Sequence, residues 1–384
     1  MKILIDATGI PREKAGVGVY ARNLLDRLTR NPGTLEFFIL AQNDDREMNF
    51  GHRPNVTMLW VPARFFRILP IRFLLEQLFL PVLLVKYRIQ VLHSLHYAFP
   101  LLTFGTHRVV TFHDMTFFTM PEFHQRLKIV YFRFFMRASV RLVDHMIFVS
   151  RSALDDCTAQ LGPIHGGASV VPHGKSDEFR PDISLDVLNA VRKKYNLHSR
   201  FILYIGTIEP RKNLPRLVEA FAPIARRDPD IHLVIAGKIG WMAEALFTAI
   251  KRLDLTSRVT FTGFVSEEDK PALLATCTIF VYPSLYEGFG LPALEALASG
   301  APTVTSNTSS LPEVVGQAAW LVDPTSTEDI QQALETILAD TLLQQELHRA
   351  GPLQAAQFTW ERTATLTIEA YRSCMHSQVK ERTI

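Results

Sequence analysis

Short apolar runs rich in β-branched residues alternate with stretches of helical period from one end of the chain to the other. "KILIDA" starts at residue 2, "RVVTF" at 108, "HMIFVS" at 145, "FILYIG" at 201, "HLVIAG" at 232 and "IFVYPS" at 279, and each reads as a buried strand. After the first comes "AGVGVYARNLLDRLTR", in which Tyr20, Leu24 and Leu28 share one helical face. The order strand, loop, helix returns in "FILYIGTIEPRKNLPRLVEAFAPIARR". Such alternation predicts an α/β chain of two Rossmann-like, doubly wound parallel-sheet units in tandem. The Pro-, Gly- and charge-rich segment "VVPHGKSDEFRPDIS" (170–184) marks the join, placing the units at 1–182 and 183–365. A last helical period runs through "FTWERTATLTIEAYRS" (358–373). Two such units facing one another would leave a cleft at the carboxyl ends of their strands, so chemistry is expected in loops that follow strands.

Composition agrees with this picture and narrows it. At 384 residues the chain exceeds one ordinary core, and 47% hydrophobic against 21% charged residues is globular. No secretory signal and no repeat of fixed period is visible, so folding in the cytoplasm is expected. The longest apolar stretch, "FLLEQLFLPVLLV" (73–85), is broken by Glu76 and Gln77 and falls short of the roughly 20 residues that span a bilayer. Cys157, Cys277 and Cys374 are widely spaced, form no metal-ligand pattern and read as buried thiols. Net charge is +3 but uneven: residues 1–182 hold 22 Lys+Arg against 16 Asp+Glu, and residues 183–384 hold 19 against 22. Much of the excess lies in two aromatic-rich stretches, "RFFRILPIRFLL" (64–75) and "HQRLKIVYFRFFMRASVRL" (124–142). Helices of this kind suit an anionic membrane surface or a phosphate-bearing partner, although a packing helix with a solvated basic face has the same pattern. The mild overall balance and the lack of a groove-reading motif argue against nucleic acid.

Candidate chemistry gathers after the strands. Gly16, Val17 and Gly18 precede the first helix, where glycine allows close backbone approach and a helix N-terminus attracts phosphate. A tight strand-to-helix turn would need the same glycines, and neither a dinucleotide fingerprint nor a P-loop is present. Arg211 and Lys212 follow the strand that opens the second unit, where adjacent cations could receive a diphosphate. In "YEGFGLPALEALASG" (286–300), Pro292 suits the first turn of a helix, with Gly290 and Leu291 at its N-terminus. Glu295 is expected in that first turn and Glu287 on the loop before it; beside a diphosphate such carboxylates suit sugar hydroxyls better than acid/base work. Ser310 and Glu313 have capping-box spacing. His113 and Asp114 end a strand and could act as acid/base or substrate-orienting groups, with His93 and His96 lining the same pocket.

Together these residues resemble the retaining glycosyltransferases of family 4, with the two-Rossmann GT-B fold, over nearly the whole chain. The most specific match is E-x7-E, here "EGFGLPALE". The resemblance implies that Glu287 contacts donor-sugar hydroxyls, that Glu295 binds the ribose, and that the amides of Phe289, Gly290 and Leu291 face sugar and diphosphate. Lys212 matches the lysine that neutralises the diphosphate. The companion arginine of the family would stand at Thr207, and Arg211 is its substitute within a "GTIEPRKN" loop. Gly263, Phe264 and Val265 match a base-contacting loop, Gly16 the glycine at the donor phosphate, and His113 a histidine beside the donor sugar. The segment "FTWERTA" resembles the family's final helix, implying that about residues 366–384 complete the first unit. "GKIGW" and "SSLPEV" are similar to bacterial mannosyltransferases of polysaccharide assembly. The expected protein is a retaining hexosyltransferase without metal or cofactor, using GDP-mannose or a UDP-sugar and a saccharide or lipid-linked acceptor, with His96 and Asp114 on the acceptor side. A nucleotide-sugar-binding protein without catalysis is the alternative, while an epimerase or a pyridoxal-dependent phosphorylase is disfavoured because no cofactor lysine can be placed.

Overall fold

The computed structural model describes residues 1–10, 16–30 and 33–381, with side chains through Met375. Contacts divide the chain into two compact units, Met1–Gly174 with Trp360–Ile384, and Lys175–Thr359. The first unit runs β1 (Lys2–Asp6), α1 (Val17–Arg30), β2 (Glu36–Gln42), β3 (Val56–Val61), α2 (Ala63–Phe66), α3 (Leu69–Tyr87), β4 (Val91–Ser94), β5 (His107–Phe112), α4 (Thr116–Thr119), α5 (Arg126–Leu142), β6 (His145–Phe148), α6 (Arg151–Leu161) and β7 (Gly167–Val170). These seven strands pair in parallel in the order β3-β2-β1-β4-β5-β6-β7. Ile3, Leu4 and Ile5 are all sealed from solvent, so both faces of β1 are covered; this is why the strand reads as a continuous apolar run. The α1 face carrying Tyr20, Leu24 and Leu28 is buried, as its period predicts.

The second unit runs α7 (Leu185–Lys194), β8 (Arg200–Ile205), α8 (Leu214–Arg227), β9 (Ile231–Ala236), α9 (Glu244–Arg252), β10 (Val259–Gly263), α10 (Lys270–Thr276), β11 (Ile279–Tyr282), α11 (Leu291–Ala298), β12 (Thr303–Ser306), α12 (Leu311–Val315), β13 (Trp320–Val322), α13 (Thr327–Ala339) and α14 (Thr341–Ala355). Its parallel sheet has the order β10-β9-β8-β11-β12-β13. Winding reverses between β8 and β11, and in open α/β sheets the loops that leave such a pair of strands enclose a ligand crevice. The chain then returns through α15 (Trp360–Glu381) to the first unit.

Both crossings come earlier than the sequence boundaries at 182 and near 366. The backbone N–H of Lys175 donates to Phe358 O, and Phe179 is buried within the second unit, so the segment after Gly174 already packs there. Trp360 is buried against Tyr20 and His173, and Thr363 Oγ1 donates to Pro172 O, so α15 joins the first unit from its first turn. Of the regions discussed above, residues 11–15 ahead of Gly16 and the tail 382–384 lie outside the described residues.

Candidate active site

The polar groups of the second unit converge at the β8/β11 switch. After β8 the chain passes Gly206 and Thr207, then a 3-10 turn, Pro210–Lys212. Asn213 closes this turn in the left-handed region and donates through Nδ2 to Pro283 O (3.1 Å) and Pro324 O (2.6 Å), clamping the loop to its neighbours. The clamp drives Lys212 inward, where Nζ donates to Tyr282 Oη at 2.7 Å and to Glu287 Oε1 at 2.5 Å. Arg211 reaches the same carboxylate, with Nη1 at 2.9 Å from Glu287 Oε2; it also donates to Tyr286 O and to Glu209 Oε1. Two cations and two carboxylates thus form one network, in which Lys212 and Glu287 are buried and Arg211 and Glu209 partly so. Burial by itself would raise the Glu287 carboxyl, but the adjacent charges of Arg211 and Lys212 carry it down to about 2, so it is an anion at neutral pH. Burial, then repulsion from Arg211, lowers the Lys212 ammonium from its ordinary value, against the pull of Glu287.

The loop between Glu287 and α11 is held from behind. Ser309 Oγ accepts from Glu287 N (2.9 Å), and Ser310 Oγ donates to the carbonyls of Glu287 and Phe289, both at 2.9 Å. This corrects the expected capping box: Ser310 has helical dihedrals and its side chain does not cap α12. Gly290 adopts φ +102°, and a Cβ there would lie 2.6 Å from Leu311 Cδ2, so glycine is required on both counts. The first ladder bonds of α11, from Ala293 and Leu294 to Gly290 O, leave the Gly290 and Leu291 amides outside the ladder at the positive end of the helix. The Phe289 ring turns inward onto Phe358. Glu295 lies in the second turn of α11, one turn deeper than expected from the sequence, and is buried. Burial raises its carboxyl to about 7, against the attraction of Lys270. At the end of β10 Gly263 has φ +68°; beyond it Val265 is buried, and exposed Phe264 has Lys238 Nζ 5.0 Å from its ring centroid.

In the first unit His113 follows β5 and donates from Nε2 to Leu95 O at 2.8 Å, which fixes its tautomer. Burial lowers its basicity despite that bond and nearby Asp114, leaving a neutral ring. His96 stacks 6.0 Å from His113, and its buried Nδ1 has no hydrogen-bond partner among the described residues. His93 does not line the same pocket: its ring nitrogens meet Tyr371 Oη (2.6 Å) and Thr111 Oγ1 (2.8 Å), tying β4 to α15. Asp114 Oδ1 accepts from Thr116 N, Thr116 Oγ1 and Tyr97 Oη, so one carboxylate oxygen holds the turn into α4. Gly16 precedes α1 at φ +40°, and no atom of the described residues lies within 4 Å of where a Cβ would point. Among the described residues no group of three or more His, Cys, Asp or Glu is placed to hold a metal ion.

The sequence reading missed Glu209, Tyr282 and Lys270. Glu209 adjoins Arg211 in "EPRKN", a signal that was legible; Tyr282 and Lys270 enter only through tertiary contact.

Residues 15–178 match the model described as Glycosyltransferase Family 4, and residues 189–354 match Glycosyl transferases group 1. The chain is 34% identical over 266 residues to O-antigen chain mannosyltransferase B of Escherichia coli, covering 69% of this chain and 70% of that one. It is 38% identical over 202 residues to the serotype-specific mannosyltransferase WbdA of Escherichia coli, covering 51% of this chain and 24% of that longer protein. Among solved structures, sucrose-phosphate synthase from Thermosynechococcus elongatus superposes with TM-score 0.77 at 20% identity, covering 98% of this chain and 99% of that one. Anabaena Alr3699/HepE in complex with UDP-glucose superposes with TM-score 0.76 at 18% identity, covering 97% and 100%.

Proposed function

From the premise that this chain belongs to the group 1 glycosyltransferases and is a glycosyltransferase of GT-B fold, we propose that it transfers mannose from GDP-mannose, with retention, to a saccharide or lipid-linked acceptor. The observation that carries the reading is the Arg211–Lys212–Glu287 network set beside the N-terminus of α11. In this reading Arg211 and Lys212 exchange part of their pairing with Glu287 for the donor diphosphate, and the Gly290 and Leu291 amides add dipoles aimed at the same anion. Glu287 then accepts from sugar hydroxyls and Glu295 from the ribose. Gly263, Phe264 and Val265 flank the base, with Thr207 and Phe289 contributing backbone. In the first unit, Gly16 would approach the donor phosphate and His113 the donor sugar, with His96 and Asp114 toward the acceptor.

The step is a same-face displacement. The bond from the anomeric carbon to the diphosphate oxygen breaks as the acceptor oxygen bonds to that carbon, and the acceptor proton passes to the departing phosphate. Arg211 and Lys212 stabilise the charge that develops on that leaving group without a metal or cofactor. Mannose is favoured by the similarity to mannosyltransferases, whereas the solved complex of HepE with UDP-glucose supports a UDP-sugar as the rival donor. Peripheral contact of the basic first unit with a membrane belongs to the same reading, because a lipid-linked acceptor would lie there.

A thermal-shift panel of GDP, UDP and ADP, followed by donor turnover across an acceptor panel, tests this. GDP is expected to give the largest shift and GDP-mannose to be consumed only with acceptor. Tight donor binding with neither transfer nor hydrolysis would leave only a nucleotide-sugar-binding protein.

A further inference from the structure

We propose that the outer face of α3, together with the Phe104 tip of the β4–β5 loop, docks on an anionic lipid bilayer and rests at its interface without crossing it. This deepens the membrane contact named above and rests on that reading for its biological purpose, but its evidence is independent of the nucleotide site. Helix α3 turns Arg72, Glu76, Leu80, Leu83 and Leu84 inward. Leu74, Leu78, Val82 and Val85, at spacings of four, four and three, form an unbroken apolar stripe on the opposite side. Leu78 is 69% exposed and Val82 60%, values otherwise expected of polar surface residues. At the C-terminal end of the stripe, Val85 and Phe104 line one groove of about 360 Å³ with Arg88 and His107. Phe104 itself is 71% exposed.

Charge selects the occupant. Arg64 precedes the stripe, and Lys86 and Arg88 follow it, all exposed. Between residues 48 and 113 the one acid is Glu76, and it is turned away from this face: Arg72 Nε donates to its Oε1 at 2.5 Å and Tyr131 Oη to its Oε2 at 2.7 Å. The face therefore offers apolar side chains rimmed by cations at both ends, which fits acyl chains beneath anionic headgroups. A second copy of the chain is the poorer partner. A two-fold contact through this stripe would bring one cationic end against the other, and the acids beside the rim, Asp44 and Asp144, are already paired with Arg67 and with His107 and Arg108. No helix among the described residues is long and apolar enough to cross a membrane, so an interfacial position is the one open to α3.

The test is flotation of the purified full chain with vesicles of phosphatidylglycerol and phosphatidylethanolamine, and with vesicles of phosphatidylcholine alone. The chain should float with the anionic vesicles, several-fold less with phosphatidylcholine, and less again at 0.5 M salt. The double variant Leu78→Asp/Val82→Asp should float at least tenfold less while keeping its unfolding temperature and nucleotide-induced thermal shift. If that variant fails to fold, Leu78→Gln/Val82→Gln serves in its place. Failure of the wild type to float, or equal flotation of wild type and variant, overturns the proposal. So does a dimer that the variant dissolves when wild type does not bind vesicles. Flotation that depends on Leu78 and Val82 in a protein unresponsive to every nucleotide would leave this docking face standing and defeat the donor reading.

Discussion

Replacing Glu287 by Gln should separate two properties that a simple binding-site defect would lower together. In the folded protein the carboxylate neutralises Arg211 and Lys212 from distances of 2.9 and 2.5 Å. A diphosphate held by the same cations would have its charge about 5 Å from Glu287, a repulsion of about 3 kcal/mol at an effective dielectric near 20. Even a third of this, about 1 kcal/mol, is about a fivefold change in affinity. Bare GDP is therefore expected to bind Glu287→Gln about 5 to 100 times more tightly than wild type. The ligand-free variant should meanwhile be less stable by about 3 kcal/mol, because a buried ammonium loses its counter-charge. GDP should restore that loss, so the thermal shift on adding GDP becomes larger than in wild type. Transfer should fall by about 10- to 150-fold, the worth of a charged hydrogen bond to a sugar hydroxyl. Calorimetric titration with GDP and with the intact donor, alongside steady-state transfer rates, reads all of these. GDP binding weakened in proportion to donor binding would refute the argument, since it would mean that Glu287 supports the phosphate pocket and does not compete with the phosphate.

Lys212→Ala should lower turnover at saturating donor by about two to three orders of magnitude, as loss of a positioned charge at a leaving group does; near-normal kcat would remove Lys212 from the diphosphate site. Glu295 holds its proton more tightly folded, at about 7, than at its ordinary 4.5. Its stabilising contribution is thus complete below pH 4.5 and lost as pH rises through 7, so Glu295→Gln should flatten stability over that window and be more stable than wild type at pH 8, by at most about 3 kcal/mol; denaturant melts at pH 4.5, 6 and 8 check this. Gly290→Ala should cost about 1–3 kcal/mol through its φ of +102° and weaken donor binding, and Leu311→Ala in the same chain should relieve the side-chain clash but leave most of the loss. Tyr371→Phe leaves His93 Nδ1 without its buried partner and should lower stability by about 1–3 kcal/mol without changing affinity for GDP, measured by melts and titration.

Local pattern alone determined much of this protein. The six quoted apolar runs are all strands, and the repeated strand–loop–helix order gives two parallel sheets, because periodicity and side-chain shape act over a few residues. Arg211 and Lys212 could be placed after a strand, and Gly290 and Pro292 at a helix start, for the same reason. Tertiary structure decided what those residues meet. Lys212 and Glu287 are 75 positions apart and become an ion pair only because β8 and β11 are neighbours in the sheet. Ser310 left its capping spacing to hold the Glu287 loop, since two carbonyls from residues 21 and 23 positions earlier were brought within reach. Burial, which no spacing encodes, raised the Glu295 carboxyl, and contact with Tyr371, 278 positions away, fixed the His93 ring. The boundaries moved to Gly174 and Trp360 because residues of polar or mixed character there found partners in one unit or the other. On α3 the apolar run was legible, but which of its residues face water depended on where Arg72, Glu76 and Tyr131 turned the helix.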